Sequence, residues 1–402
     1  MSLSDKVAQL RPLGPKWGGA GLGLYSGRAL SPSVPHSIVG RALAHFVIQH
    51  FRITGLSSPL RRIKMRKLTL FLIVLLALSA STAAQHRYEV TQLGTLGGSY
   101  TLGRAINASG QLTGVSAGPG NAWEHAFLYS AGKMTDLGSL GTSAFGTAIN
   151  ASAQVVGVTN LSTDFNYRAF LYSQGLMQDL GLFGGISSFA YSINDSGQIT
   201  ICAEAAPEGG AFLYSATDNS VISLTAEIGS SDACAQAINN SGEITGGYRD
   251  ILGAHAFLLS AGTRLDIGPV GTNFSFGFAI NNSGQVAGNY LNGGTERAFL
   301  YSAGKTIDIG DLGGGFTEVF GSSAINKYGQ IVGVSSCQCQ FGSHAFLYTP
   351  GHGMIDLNKF IPKHLGVTLV EAWGINDTGQ IIVTDGGFNS FLLTPKKFHK
   401  AK

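Results

Sequence analysis

The sequence predicts an all-β protein, a seven-bladed β-propeller closed by its own N-terminal strand. Three observations carry this expectation. An Ile-Asn motif recurs seven times, with its Asn at 107, 150, 194, 239, 281, 326 and 376 and spacings of 42 to 50 residues. Each unit divides into four short apolar stretches separated by turn residues. The two ends of the chain are permuted relative to that unit.

The four stretches are plainest in the sixth unit: SSAIN (322–326), QIVGVSS (330–336), HAFLYT (344–349) and GMIDLN (353–358). Short runs bounded by Gly, Asn and Ser suit a meander of four antiparallel strands, and four strands in such a period match one propeller blade. The third stretch recurs as HAFLYS at 125, RAFLYS at 168, GAFLYS at 210, HAFLLS at 255, RAFLYS at 297 and HAFLYT at 344, reduced to SFLLT at 390. Its alternation is of size: His125, Phe127 and Tyr129 point one way, Ala126, Leu128 and Ser130 the other. A strand covered on both faces by neighbouring blades needs that large-against-small packing. The recurrent Asn starts a turn, where its side chain bonds nearby backbone N–H groups. Six of the seven also read as N-x-S/T sequons, Asn326 being the exception, but turn chemistry accounts for them without glycosylation.

The ends decide between a ring and an open stack. The segment YEVTQLGTLGG (88–98) matches a fourth strand such as KMTDLGSLGT (133–142), and the chain finishes on SFLLTP (390–395), a third strand with none after it. Residues 88–93 therefore complete the last blade and cover its edge. An open β-solenoid, the alternative, needs capping units rather than permuted ends.

Upstream, residues 65–84 (MRKLTLFLIVLLALSASTAA) read as a secretory signal peptide. Arg66 and Lys67 lead an apolar run, and small residues precede cleavage before Gln85. Residues 1–64 carry no repeat, and Met65 is read as the true start. The domain reading is thus a leader (1–64), a signal peptide (65–84) and a single propeller (85–402), with no stable membrane span after cleavage. Charge agrees with export rather than nucleic-acid binding. Eleven of the 26 Lys and Arg fall in residues 1–67, which leaves 15 basic against 22 acidic residues from Gln85 onward. A nucleic-acid binder concentrates positive charge on its folded part.

The HAF tripeptide, the INxSGQ turn and the DLGxLGG strand together resemble the HAF-repeat family of extracellular bacterial proteins, across nearly all of residues 88–395. The departures are Ala153 in place of the turn Gly, Lys327-Tyr328 in the sixth turn, and the loss of the Asp strand near Ser223. The resemblance implies an extracellular location, at the cell surface or in the medium, with the periplasm as the alternative. It implies no activity and no catalytic residues.

Function is expected on one face. The turns between strands one and two and between strands three and four share a face, and there the repeats agree. The opposite face carries the second-to-third loops and the blade connections, and there they differ. Its aromatic residues, Trp123, Phe165, Tyr167, Tyr248, Tyr290, Phe341 and Trp373, suit carbohydrate stacking or protein contact. The expected function is a non-enzymatic binding module for a glycan or a cell-surface protein, monomeric and without a cofactor. The alternative is a propeller hydrolase or lyase acting on polysaccharide through acids such as Asp164, Asp250, Glu296 or Asp385. No nucleophile elbow, HExxH or Walker lysine is present. No metal site is expected either, because His125, His255 and His344 share their repeat position with Arg168, Gly210, Arg297 and Ser390. Cys202 and Cys234 lie near the boundary of adjacent blades and form a candidate disulfide. Cys337 and Cys339 form a weaker one.

Overall fold

The computed structural model describes residues 87–161, 166–204, 209–339 and 342–396. The expected leader 1–64, the signal segment 65–84, Asp164, Phe165 and Phe341 lie outside these residues. The strands form seven antiparallel meanders of four, the first two linked by one parallel bridge between Glu124 and Ser143. In the first blade they are Thr101–Ile106, Leu112–Ala117, Glu124–Ser130 and Lys133–Gly138. The last blade takes Leu369–Ile375, Ile381–Asp385 and Ser390–Pro395 from the end of the chain. Its fourth strand is Tyr88–Gln92, paired antiparallel from Tyr88 opposite Pro395 to Gln92 opposite Phe391. The ring is closed by the N-terminal strand, and the solenoid is excluded.

The Asn that ends each first strand explains the repeat. In the fifth blade Asn281 Oδ1 accepts from the N–H groups of Ser283 (3.0 Å) and Gln285 (3.1 Å), which is the expected turn. Its Nδ2 donates to Gln285 Oε1 (2.8 Å) and also to the backbone carbonyl of Asn326 in the next blade (2.9 Å). The second bond recurs at every boundary: Asn107 to Asn150, Asn150 to Asn194, Asn194 to Asn239, Asn239 to Asn281, Asn326 to Asn376, and Asn376 back to Asn107. Each Asn is buried with its amide satisfied by protein, so each blade needs one and no other residue supplies both halves of the pattern.

Packing between blades rests on the third-strand Phe. Phe127, Phe170, Phe257, Phe299 and Phe346 are fully buried, each opposite a second-strand glycine, as Phe299 is opposite Gly288. A Cβ on Gly288 would lie 2.3 Å from the Phe276 carbonyl oxygen and 2.5 Å from the Phe299 ring. That glycine therefore admits both the ring and a bulge in the first strand. Burying one such Phe contributes roughly 1.5–3 kcal/mol.

The bulge falls three residues before the ring Asn, between Gly103 and Ala105 in the first blade and between Gly277 and Ala279 in the fifth. The sixth blade departs from the expected strand at 322–326. Its first strand is Gly313–Glu318, and only Ile325 bridges back to Ile331. The intervening backbone is held from the neighbouring blade instead: Asn289 Nδ2 donates to the Val319 carbonyl (3.2 Å), and the Val319 N–H donates to Asn289 Oδ1 (3.0 Å).

Candidate functional site

Meander geometry places the NxSG turns and the third-to-fourth turns on one face. The second-to-third loops and the connections between blades lie on the other. The two faces differ chemically. On the turn face Gln111, Gln154, Gln285 and Gln330 donate to the Ser or Thr that ends the third strand, as Gln285 Nε2 does to Ser302 Oγ at 3.0 Å. In the fourth blade Glu243 stands in the Gln position and the direction reverses, Ser260 Oγ donating to it at 2.9 Å. This face is scaffold.

Toward the loop face, the residue before Ala-Phe pairs with the fourth-strand Asp in blades one, two, five and six. His125 Nδ1 lies 3.0 Å from Asp136, Arg168 Nη1 2.8 Å from Asp179, Arg297 Nη2 3.0 Å from Asp308, and His344 Nδ1 3.0 Å from Asp356. In the third blade Gly210 offers no such side chain, and Ser223 stands where the Asp would be, opposite Phe212. The two losses go together, a signal present in the sequence that inspecting one motif at a time misses. Blade five carries the densest cluster, because Arg297 also donates to Asp311 and the Tyr290 hydroxyl donates to Asp308 (2.6 Å). Burial alone would raise Asp308, but Arg297, Tyr290 and the Gly310 N–H outweigh it and hold the carboxyl below its ordinary range.

Of the aromatic residues expected on the loop face, two keep that place. Trp123 is half-buried and stacks on the His125 ring at 4.0 Å between centroids. It lies against Gly118, where a Cβ would come within 2.1 Å of the indole. Tyr167 is half-buried beside Phe189, 5.7 Å between rings. Tyr248 and Tyr290 are corrected from loop to strand. Both are buried, and both hydroxyls reach the fourth-strand Asp of their own blade, Asp266 and Asp308. The reason is length: second strands Ile244–Asp250 and Val286–Asn292 run on past them, so the loop tips are 251–252 and 293–294. Burial and the Asp charge push the Tyr248 phenol up to about 12. Trp373 is corrected too. It is a bulge residue of the first strand in blade seven, buried and stacked on Phe320 at 4.8 Å.

Of the acids considered for catalysis, Asp250 and Asp385 are taken up by turns. Asp250 accepts from the N–H groups of Leu252 (2.7 Å) and Gly253 (3.2 Å) and pairs with His255 (3.0 Å). Asp385 accepts from Gly387 N–H and Asn389 N–H, each at 2.8 Å. What the loop face presents instead is aliphatic. Leu161, Ile186, Ile251, Leu252, Val270 and Leu365 are exposed there, Ile251 and Val270 completely. A depression of about 590 Å³ opens at blade six, lined by His344, Asn358, Ile361, Pro362, Lys363, Val367 and Thr368. Cys202 is joined to Cys234, tying the second strand of blade three to the first of blade four, and Cys337 is joined to Cys339.

No protein-family model and no curated protein matches the chain. Among solved structures it is similar to the virginiamycin B lyase from Staphylococcus aureus (TM-score 0.49, 9% identity, 77% of this chain and all of that one). It is also similar to the β-propeller domain of the trilobed protease from Pyrococcus furiosus (0.47, 10%, 64% and 81%). A third is TolB from Acinetobacter baumannii (0.44, 10%, 72% of this chain), of which the chain spans 64%.

Proposed function

We propose that this chain is a non-enzymatic binding module of the HAF-repeat type, secreted or held in the cell envelope, that takes a protein partner on its loop face. The observation that carries this reading is the set of aliphatic residues exposed on that face. Aliphatic side chains held open in the loops of a rigid scaffold suit docking rather than stability. Protein is favoured over glycan because Tyr248, Tyr290 and Trp373 are buried and unavailable for stacking. The hydrolase or lyase reading is disfavoured because Asp250 and Asp385 hold their own turns.

The test is a photo-crosslinking residue placed at Ile251 or, as a control on the opposite face, at Tyr328. Discrete cross-linked products from envelope and culture fractions at Ile251 alone support the reading. Equal products at both positions, or turnover of a polysaccharide lost in Asp250→Asn, would contradict it.

A further inference from the structure

Blade six differs from the others where its second strand turns into its third. Cys337 ends the second strand, Cys339 follows in the loop, and His344 is the second residue of the third strand. Ser335 pairs with His344, and the Cys337 N–H donates to the Gly342 carbonyl (3.0 Å), so Cys337 and His344 lie diagonally on one face of the sheet. Gly342, opposite Cys337, has no side chain, and a Cβ there would meet nothing within 4 Å, so this side of the hairpin is open. The Gly342 N–H donates to the Cys339 carbonyl (3.2 Å), a turn that brings Cys339 back toward the pair. Both Sγ atoms and a ring nitrogen of His344 lie within 4.8 Å of one another.

The histidine is held in one orientation. His344 Nδ1 lies 3.0 Å from Asp356 Oδ2, and Asp356 Oδ1 accepts from the Asn358 N–H (2.9 Å). An Nδ1–H that donates to this carboxylate leaves the Nε2 lone pair free. His125 and His255 have acidic partners too, but only blade six carries a Cys-x-Cys beside its histidine. The pair is also the best shielded: His344 and Asp356 are each 13% exposed, against 19% and 39% for His125 and Asp136. The Cys337–Cys339 bridge itself adds little to the fold. Its sequence separation is 2, against 32 for Cys202–Cys234, so it restricts the unfolded chain far less. Both of its cysteines are half-buried, whereas Cys202 and Cys234 are buried.

We propose that Cys337, Cys339 and His344 form a zinc site once their bridge is reduced, with Asp356 orienting the histidine. Two thiolates and an imidazole suit a thiophilic ion, and the two thiolate charges match a divalent one. Zn–S bonds of about 2.3 Å and a Zn–N bond of about 2.0 Å put tetrahedral ligand atoms roughly 3.5–3.8 Å apart, so the chief movement required is the parting of the two sulfurs. The chemistry balances. A dithiol reductant breaks the Sγ–Sγ bond, gives up two electrons and two protons, and leaves as its own disulfide. Zinc binding then displaces the two thiol protons to solvent. Water takes the fourth position, supplied from the depression that His344 also lines.

The full chain is reduced with a dithiol, desalted without oxygen, and titrated with Co²⁺ and then with Zn²⁺. One equivalent of Co²⁺ should give thiolate-to-cobalt charge transfer and the intense visible bands of a tetrahedral site, and Zn²⁺ should bleach both. The unreduced chain should show neither. Replacing Cys337 and Cys339 together by Ser should abolish the signal while Cys202 and Cys234 stay in place. Asp356→Asn should weaken zinc about tenfold. His344→Ser should weaken it further, and the scaffold tolerates that change, since Ser390 holds the same repeat position in blade seven. Absence of charge transfer in the reduced chain, the same spectrum in the double cysteine variant, or zinc affinity unchanged in His344→Ser would overturn the proposal.

Discussion

Asn376 Nδ2 donates to the backbone carbonyl of Asn107, 3.2 Å away in space and 269 residues away in sequence. It is the seventh bond of a ring in which every blade holds the next by the same atom. The turn at each Asn needs only the side-chain oxygen. The ring needs the nitrogen, and the two roles can be separated.

Asn281→Asp keeps the oxygen that accepts from Ser283 and Gln285 and replaces the nitrogen that donates to Gln285 and Asn326. Asp is a good turn residue, so a purely local role predicts little change. The ring role predicts a loss of about 2–4 kcal/mol, because two buried acceptors then face an oxygen. Chemical denaturation of the variant decides.

Cys202 and Cys234 close a loop across a blade boundary, 32 residues apart in sequence. Replacing both by Ser should lower stability by about 2–4 kcal/mol. Calorimetry of the double variant under non-reducing conditions measures it, and the difference should vanish when the wild type is fully reduced.

Blade five should be the most acid-sensitive part of the ring. Asp308 and Asp311 are both held below their ordinary range in the fold, Asp308 by Arg297, Tyr290 and Gly310 and Asp311 by Gly315, Arg297 and Gly313, against the opposing effect of burial. A lowered folded pKa means the unfolded state binds protons first. The stabilisation is then complete well above the unfolded carboxylate value of about 3.9 and is lost as pH falls through it toward the folded pKa. Hydrogen exchange at pH 5 and pH 3 should show the 297–311 segment losing protection before the matching segment of blade three, which has Gly210 and Ser223 in the paired positions. Equal loss in both would contradict this.

The blade count was legible because one residue type does two jobs at every boundary, so the period of Asn is the period of the ring. Strand order and closure followed from the shared YEVTQLG and KMTDLGS patterns. Three features were hidden for different reasons. The first strand of blade six moved to Gly313–Glu318 because Asn289, from another unit, supplies the bonds of Val319. Tyr248 and Tyr290 looked like loop residues because nothing local shows that their strands run on to Asp250 and Asn292. Trp373 looked like a loop-face residue because a bulge breaks the alternation that would have assigned it to the core.

Closure by the N-terminal strand is the central claim, and deleting residues 88–92 tests it directly. That strand pairs from Tyr88 opposite Pro395 to Gln92 opposite Phe391, and Tyr88 is buried in the core beneath it. Its removal leaves Ser390–Pro395 as an open edge at the seam of the ring. The melting temperature should fall by about 10 °C or more, with aggregation at the exposed edge. A deletion that melts with the full chain and stays monomeric would contradict it.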